Sequence, residues 1–153
     1  MPEPQASPSF HSEARLRVRY AETDQMGVVY HANYLVWFEV GRVELMRSMG
    51  LDYAQLEKEH GVMIAVVGVE VRYRSPARYD DEVSIRTSVV AIRGPVLKMQ
   101  YRVVRVADEK LLCEGTTTHV VVDRSMNKST LPPAYEAALR NLLQPAHELV
   151  QPE

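Results

Sequence analysis

Cysteine is nearly missing from this chain. Cys113 is the single one, so no intrachain disulfide can form, and a reducing, cytoplasmic setting is the expectation. Charge of one sign is missing too. The 18 Lys and Arg face 20 Asp and Glu, a net charge of −2, which gives no wholesale attraction to nucleic acid or anionic membrane. No run of 18 apolar residues occurs, so no membrane span is expected. The opening MPEPQASPSF has neither a basic start nor an apolar core, and no secretory signal is expected from it. Several chemical signatures are absent as well. There is no Walker loop, no G-x-G-x-x-G, no G-x-S-x-G elbow and no H-E-x-x-H. His11, His31, His60, His119 and His147 lack metal-ligand spacing, so neither a metal nor an organic cofactor is expected.

What remains is an ordinary globular composition, 46% hydrophobic and 25% charged over 153 residues, enough for one domain. Met1 to Ser12 holds three prolines and few large apolar groups, and reads as a loosely attached head of residues 1–12. The body spans 13–143, and from Gln144 the chain thins into a tail, 144–153, with Pro145 and Pro152.

Periodicity divides the body. Leu16, Val18 and Tyr20 alternate with Arg15, Arg17 and Arg19, which predicts a strand over Ala14 to Tyr20. A loop with Gly27 follows. A proline-free stretch from Tyr34 then ends at Gly50, which predicts a long helix with Asn33 as its N-cap. Its first two turns are apolar nearly all round and should be buried on most sides. Glu39 with Arg42, and Glu44 with Arg47, stand at i,i+3 spacing and should pair. A shorter helix is expected over Asp52 to His60. Val62 to Val122 then reads as strands separated by Ser75-Pro76, Arg93-Gly94-Pro95 and Ala107-Asp108-Glu109, with consecutive strands pairing antiparallel. A last helix, Pro133 to Leu143, opens with proline at its first turn. The expected class is α+β: an antiparallel five-stranded sheet wrapped around a long central helix. Apolar residues on the nominally polar strand positions hint at a partner subunit.

The stretch Tyr20-Ala-Glu-Thr-Asp24-Gln-Met-Gly27-Val-Val-Tyr30-His31-Ala-Asn33-Tyr34 resembles the signature of the 4-hydroxybenzoyl-CoA thioesterase family of hotdog-fold proteins. It is closer still to the YbgC-type acyl-CoA thioesterases. Tyr73, Pro76 and Tyr79-Asp80-Asp81 also fit, and the likeness covers Ala14 to Asp123. The resemblance implies hydrolysis of an acyl-CoA to a carboxylic acid and free CoA. It implies a catalytic carboxylate at Asp24 and a backbone N–H at His31 that polarises the thioester carbonyl. It implies Gly27 as the turn joining them, and a site between subunits of a homodimer or homotetramer whose sheets join edge to edge.

Elementary chemistry agrees with those roles. A helix start offers unpaired N–H donors and a positive dipole end to a developing oxyanion. A nearby carboxylate can attack the carbonyl or act as general base on water. Taken alone, Asp24 reads first as a turn or cap residue, and the His31 ring as a capping or packing group; the surrounding motif reverses that weight for Asp24. Tyr20, Tyr30 and Tyr34 are candidate acyl-pocket walls, with Met26, Tyr53 and Met63 as further candidates. Glu39, on the long helix, is a rival carboxylate. Arg74, Arg78, Arg93, Lys98, Arg124 and Lys128 are candidate partners for CoA phosphates. Other readings are an acyl-carrier-protein thioesterase and a non-catalytic acyl-binding protein. A hydratase of the R-specific enoyl-CoA type would need His five residues after the Asp, where Val29 stands. Cys113, mid-strand, reads as a buried structural thiol.

Overall fold

The computed structural model describes residues 10–148, and the side chains of 10–143. Residues 1–9 and 149–153, which hold most of the expected head and part of the expected tail, lie outside the described residues. In chain order the elements are β1 Ser12–Arg17, α1 Asn33–Ser48, α2 Tyr53–His60, β2 Val62–Tyr73, β3 Glu82–Arg93, β4 Val96–Arg105, β5 Lys110–Asp123 and α3 Pro133–Glu148. A 3-10 turn covers Tyr20–Glu22. Among the described residues no helix is long and apolar enough to cross a membrane.

The five strands form one antiparallel sheet in the order β1-β3-β4-β5-β2. β3, β4 and β5 are a meander, as their short turns require; Gly94 takes φ 55° in the first of them. The expectation that consecutive strands pair fails between β2 and β3. β2 lies at the sheet edge and pairs with β5, and residues 74–81 cross over to β3. That stretch is no tight hairpin. Arg74 and Ser75 donate to Leu112 O, and Ala77 is fully buried with its carbonyl accepting from Val29 N–H at 2.9 Å.

α1 lies on the sheet with one continuous stripe buried: Tyr34, Trp37, Phe38, Gly41, Leu45 and Met46. It packs on β1 and β3. Gly41 is where helix and sheet come closest. A Cβ there would stand 2.5 Å from Thr87 Oγ1 and 2.6 Å from Ile85 Cγ2. α2 is capped by the Asp52 carboxylate, which accepts from Ala54 N–H, and ends on Gly61 at φ 64°.

Six local expectations need correction. The first strand ends at Arg17, because the chain tightens into the 3-10 turn after Arg19. The sheet also reaches further back than expected. His11 N–H donates to Thr87 O, and His11 Nδ1 accepts from Val89 N–H at 3.0 Å, so a segment assigned to the loose head is held against β3. Asn33 is the first helical residue and not the N-cap; Ala32 holds that position without a side-chain bond. The first turns of α1 are not buried all round either. Leu35, Val36 and Val40 are 40%, 51% and 41% exposed, because a single chain supplies a sheet to one face only. Of the two expected helix ion pairs, Arg47 reaches Glu44 at 2.8 Å, whereas Arg42 turns inward to the Tyr101 hydroxyl and leaves Glu39 exposed. α3 runs five residues past its expected end at Leu143, to Glu148.

Candidate active site

The loop between β1 and α1 folds back on itself. Thr23 and Val29 form an isolated antiparallel bridge. Between them, Asp24 N–H donates to Val28 O at 2.8 Å and Gly27 N–H donates to Asp24 O at 2.9 Å. Gly27 takes φ 80°, the left-handed region that a side chain resists, so glycine is what this turn requires. Asp24 Oδ1 accepts from Met26 N–H at 2.9 Å, an Asx-type turn. Its other oxygen has no partner among the described residues. The turn role and a chemical role are therefore compatible, since one oxygen orients the carboxylate and the other stays available.

Leaving this turn, Val29 N–H bonds to Ala77 O, Tyr30 N–H to Glu22 O and Asn33 N–H to Tyr30 O. The N–H of His31 finds no acceptor among the described residues. It stands just ahead of α1, where the helix dipole is positive. The His31 carbonyl accepts from the Tyr73 hydroxyl at 2.9 Å, which ties the peptide after the free N–H to the end of β2. Tyr73 in turn packs edge-on against Tyr34, with centroids 5.3 Å apart, and Tyr34 against Trp37 at 4.8 Å. The Tyr34 hydroxyl accepts from Ala77 N–H at 3.3 Å. Burial pushes the Tyr34 phenol above its ordinary pKa and does the same, from a more exposed position, at Tyr73. Both stay protonated at neutral pH.

These pieces surround a cavity of about 350 Å³ lined by Asp24, Met26, Val28, Val29, His31, Tyr34, Tyr73, Arg74, Ser75 and Pro76. Of the residues expected at the site, Asp24, Met26, His31 and Tyr34 line it together, whereas Tyr53 and Met63 do not. Gly27 shapes it from the turn. Tyr30 stays off the wall, half exposed, with its ring 4.4 Å from the His31 ring. Tyr20 is 77% exposed and stacks edge-on with Tyr79. Glu39 sits elsewhere, in a groove on the outer face of α1 with Val36, Val40, Val43, Glu44 and Arg47. Among the basic candidates only Arg74 reaches the cavity; it also pairs with Glu114 at 2.6 Å. Arg124 instead donates to Glu57 O and Lys58 O at the end of α2.

Two residues escaped the sequence reading. Glu22 is 5% exposed, and its carboxylate accepts from Arg19 N–H and from the indole N–H of Trp37, each at 2.8 Å. Nothing in the spacing of Glu22 and Trp37 marks them as partners.

Residues 18–140 match the thioesterase-like superfamily. The chain is 40% identical over 117 residues to the putative acyl-CoA thioesterase YneP of Bacillus subtilis (strain 168), covering 76% of this chain and 83% of that one. It is 38% identical over 108 residues to the acyl-CoA thioester hydrolase YbgC of Escherichia coli O6:H1, covering 71% and 79%. Among solved structures it is similar to the hypothetical protein TT1821 from Thermus thermophilus, with TM-score 0.80, 38% identity and coverage of 86% of this chain and 98% of that one. It is also similar to a DHNA-CoA thioesterase from Staphylococcus aureus, with TM-score 0.85, 27% identity and coverage of 93% and 97%.

Proposed function

Because the chain belongs to the thioesterase-like superfamily and is a thioester hydrolase with the hotdog fold, we propose that it hydrolyses acyl-CoA with Asp24 as the reacting carboxylate and the His31 N–H as the oxyanion donor. The observation behind this reading is that one loop delivers an underused carboxylate and an unpaired, helix-start N–H to the same cavity. The thioester carbonyl oxygen would take the His31 N–H. Asp24 would either accept the proton of an attacking water or attack the carbonyl carbon itself. In the first route the hydroxyl adds to carbon, the C–S bond breaks and the thiolate leaves with the proton. In the second a mixed anhydride forms as the thiolate leaves, and water then cleaves it. Val28, Val29, Tyr34 and Pro76 supply apolar wall for the acyl group. A preorganised donor of this kind is typically worth about 10²–10³ in rate.

The same reading includes a second copy of the chain. β2 is a sheet edge, with Val66, Val67 and Val69 exposed along it, and Leu35, Val36 and Val40 are exposed on α1. A dimer would cover both surfaces and close the cavity over the acyl chain.

The experiment is free-thiol release from short, medium, long and aromatic acyl-CoAs, with wild type and Asp24→Asn side by side. Asp24→Asn is expected to lower kcat by about 10²–10⁴-fold with unchanged elution and circular dichroism. Near-wild-type turnover by the variant would remove Asp24 from the mechanism and make Glu39 the suspect, and no release from any acyl-CoA by wild type would overturn the substrate class. In gel filtration the protein is expected as a dimer or larger; an active monomer would contradict the shared site.

A further inference from the structure

Glu22 is a buried carboxylate beside a proposed catalytic loop, and it uses every acceptor it has. Oε1 takes the N–H of Arg19, at the exit of the first strand, at 2.8 Å. Oε2 takes the indole N–H of Trp37, one turn inside α1, at 2.8 Å. Its backbone carbonyl takes Tyr30 N–H at 2.9 Å and the Asn33 side-chain amide at 2.8 Å. One residue therefore touches the strand exit, both residues that flank His31-Ala32, and the body of the helix. Asp24 lies two residues after it. His31 directly follows the Tyr30 that it holds.

We infer that Glu22, through its bond to Trp37, is a positioning residue that sets the register of the Asp24 turn and the His31 peptide on α1. This rests on the assignment of those two groups above. The physical reason is economy of constraint. A loop that presents a carboxylate and an N–H to one carbonyl must hold both within a fraction of an ångström, and a misplacement of about 1 Å can cost roughly 10²-fold in rate. Hydrogen bonds to an ionised carboxylate in a water-poor setting are stronger and stiffer than neutral ones. The Trp37 ring is 1% exposed and packed against Tyr34, so its N–H is a fixed anchor.

The test uses Glu22→Gln, Trp37→Phe and the double variant of the full chain. Glutamine has one acceptor where Glu22 has two, so a donor must face a donor. Phenylalanine keeps an aromatic ring and removes the N–H alone. Each single variant is expected to lower kcat about 10–100-fold with KM within about threefold. The double is expected to be no worse than the more impaired single, because without the indole N–H the glutamine oxygen is free to accept from Arg19 N–H. Trp37 is the single tryptophan of the chain, so its indole N–H gives one unambiguous proton–nitrogen resonance. That resonance should shift in Glu22→Gln, and the His31 and Asp24 amide resonances should shift in both variants. Unchanged kcat, a loss confined to KM, or unmoved His31 and Asp24 amides would overturn the inference. Should wild type prove inactive on acyl-CoA, the assignment of substrate falls, while the amide resonances still decide the positioning role. Should Glu22→Gln fail to fold, Trp37→Phe carries the test.

Discussion

α1 is flanked by two buried polar clusters, and they are built differently. At its start, Glu22 meets Arg19, Trp37, Tyr30 and Asn33 with every acceptor filled. Further along, Arg42 donates to the Tyr101 hydroxyl at a long 3.5 Å, Tyr101 shares a 2.7 Å bond with Thr117, and Thr117 shares another of 2.7 Å with His119 Nε2. This second chain is incomplete. His119 Nδ1 and the Tyr53 hydroxyl are buried with no partner among the described residues. Burial pushes the His119 imidazole down to about 4, with the Arg42 charge adding to it. Burial pushes the Tyr53 phenol up to about 12 against the opposing pull of Arg42. The first cluster holds both oxygens of a carboxylate in hydrogen bonds next to the proposed catalytic loop. The second holds a neutral His119 and a neutral Tyr53 around the charged Arg42, away from the proposed site. A satisfied polar network can define geometry, whereas a partly satisfied one costs stability and fixes only which side chains meet.

Predictions can break that contrast or sharpen it. The largest stability effect is expected from Gly41→Ala, which lies between the clusters where α1 presses on Thr87 and Ile85. The added methyl must push helix and sheet apart, at a cost of about 1–3 kcal/mol or more. Urea unfolding should show the loss and turnover should fall with it, since α1 carries both clusters. Wild-type stability would mean the contact relaxes freely. Thr117→Val is expected to cost a similar or slightly smaller amount, about 1–3 kcal/mol, because it strands Tyr101 and His119 Nε2. Its kcat should stay within about twofold; a tenfold fall would show that the clusters are not separate.

The effect that is smallest at neutral pH, and that grows as pH falls, comes from His119. His119 is held neutral in the folded chain down to about pH 4, whereas the unfolded chain takes up that proton near its ordinary value of 6.5. The unfolded state therefore binds more protons across this window, and stability should fall as pH drops from about 6.5 toward 4. His119→Gln should flatten that slope in denaturant melts taken across the window. An unchanged slope would assign it to other groups.

Much of the fold was legible because it rests on local signals. Alternation in Val83 to Val89 and Met99 to Val103, glycine at Gly61 and Gly94, and proline at Pro133 mark their elements without help. The reading failed where partners are distant in sequence. β2 pairs with β5, some 40–60 residues away, because residues 74–81 are committed through Ala77 to the loop ahead of α1 and cannot turn tightly. Arg42 left Glu39 for the same reason: a tyrosine 59 residues on lies beneath the helix, and i,i+3 spacing cannot report it. Trp37 and Glu22 are a third case, 15 residues apart and joined only once the loop closes.

By itself the sequence determined the motif on which the proposed chemistry rests, because Asp24, Gly27 and His31 form a short stretch whose turn and helix start depend on neighbours a few positions away. The tertiary structure decided what that motif is held against. Tyr73, at the end of β2, fixes His31, Ala77, within the crossover, fixes Val29, and Trp37 comes from within the helix to fix Glu22. Distant contacts of that kind depend on packing and chain crossing, which local propensity does not encode, so the site's precision became visible only once the sheet and helix were in place.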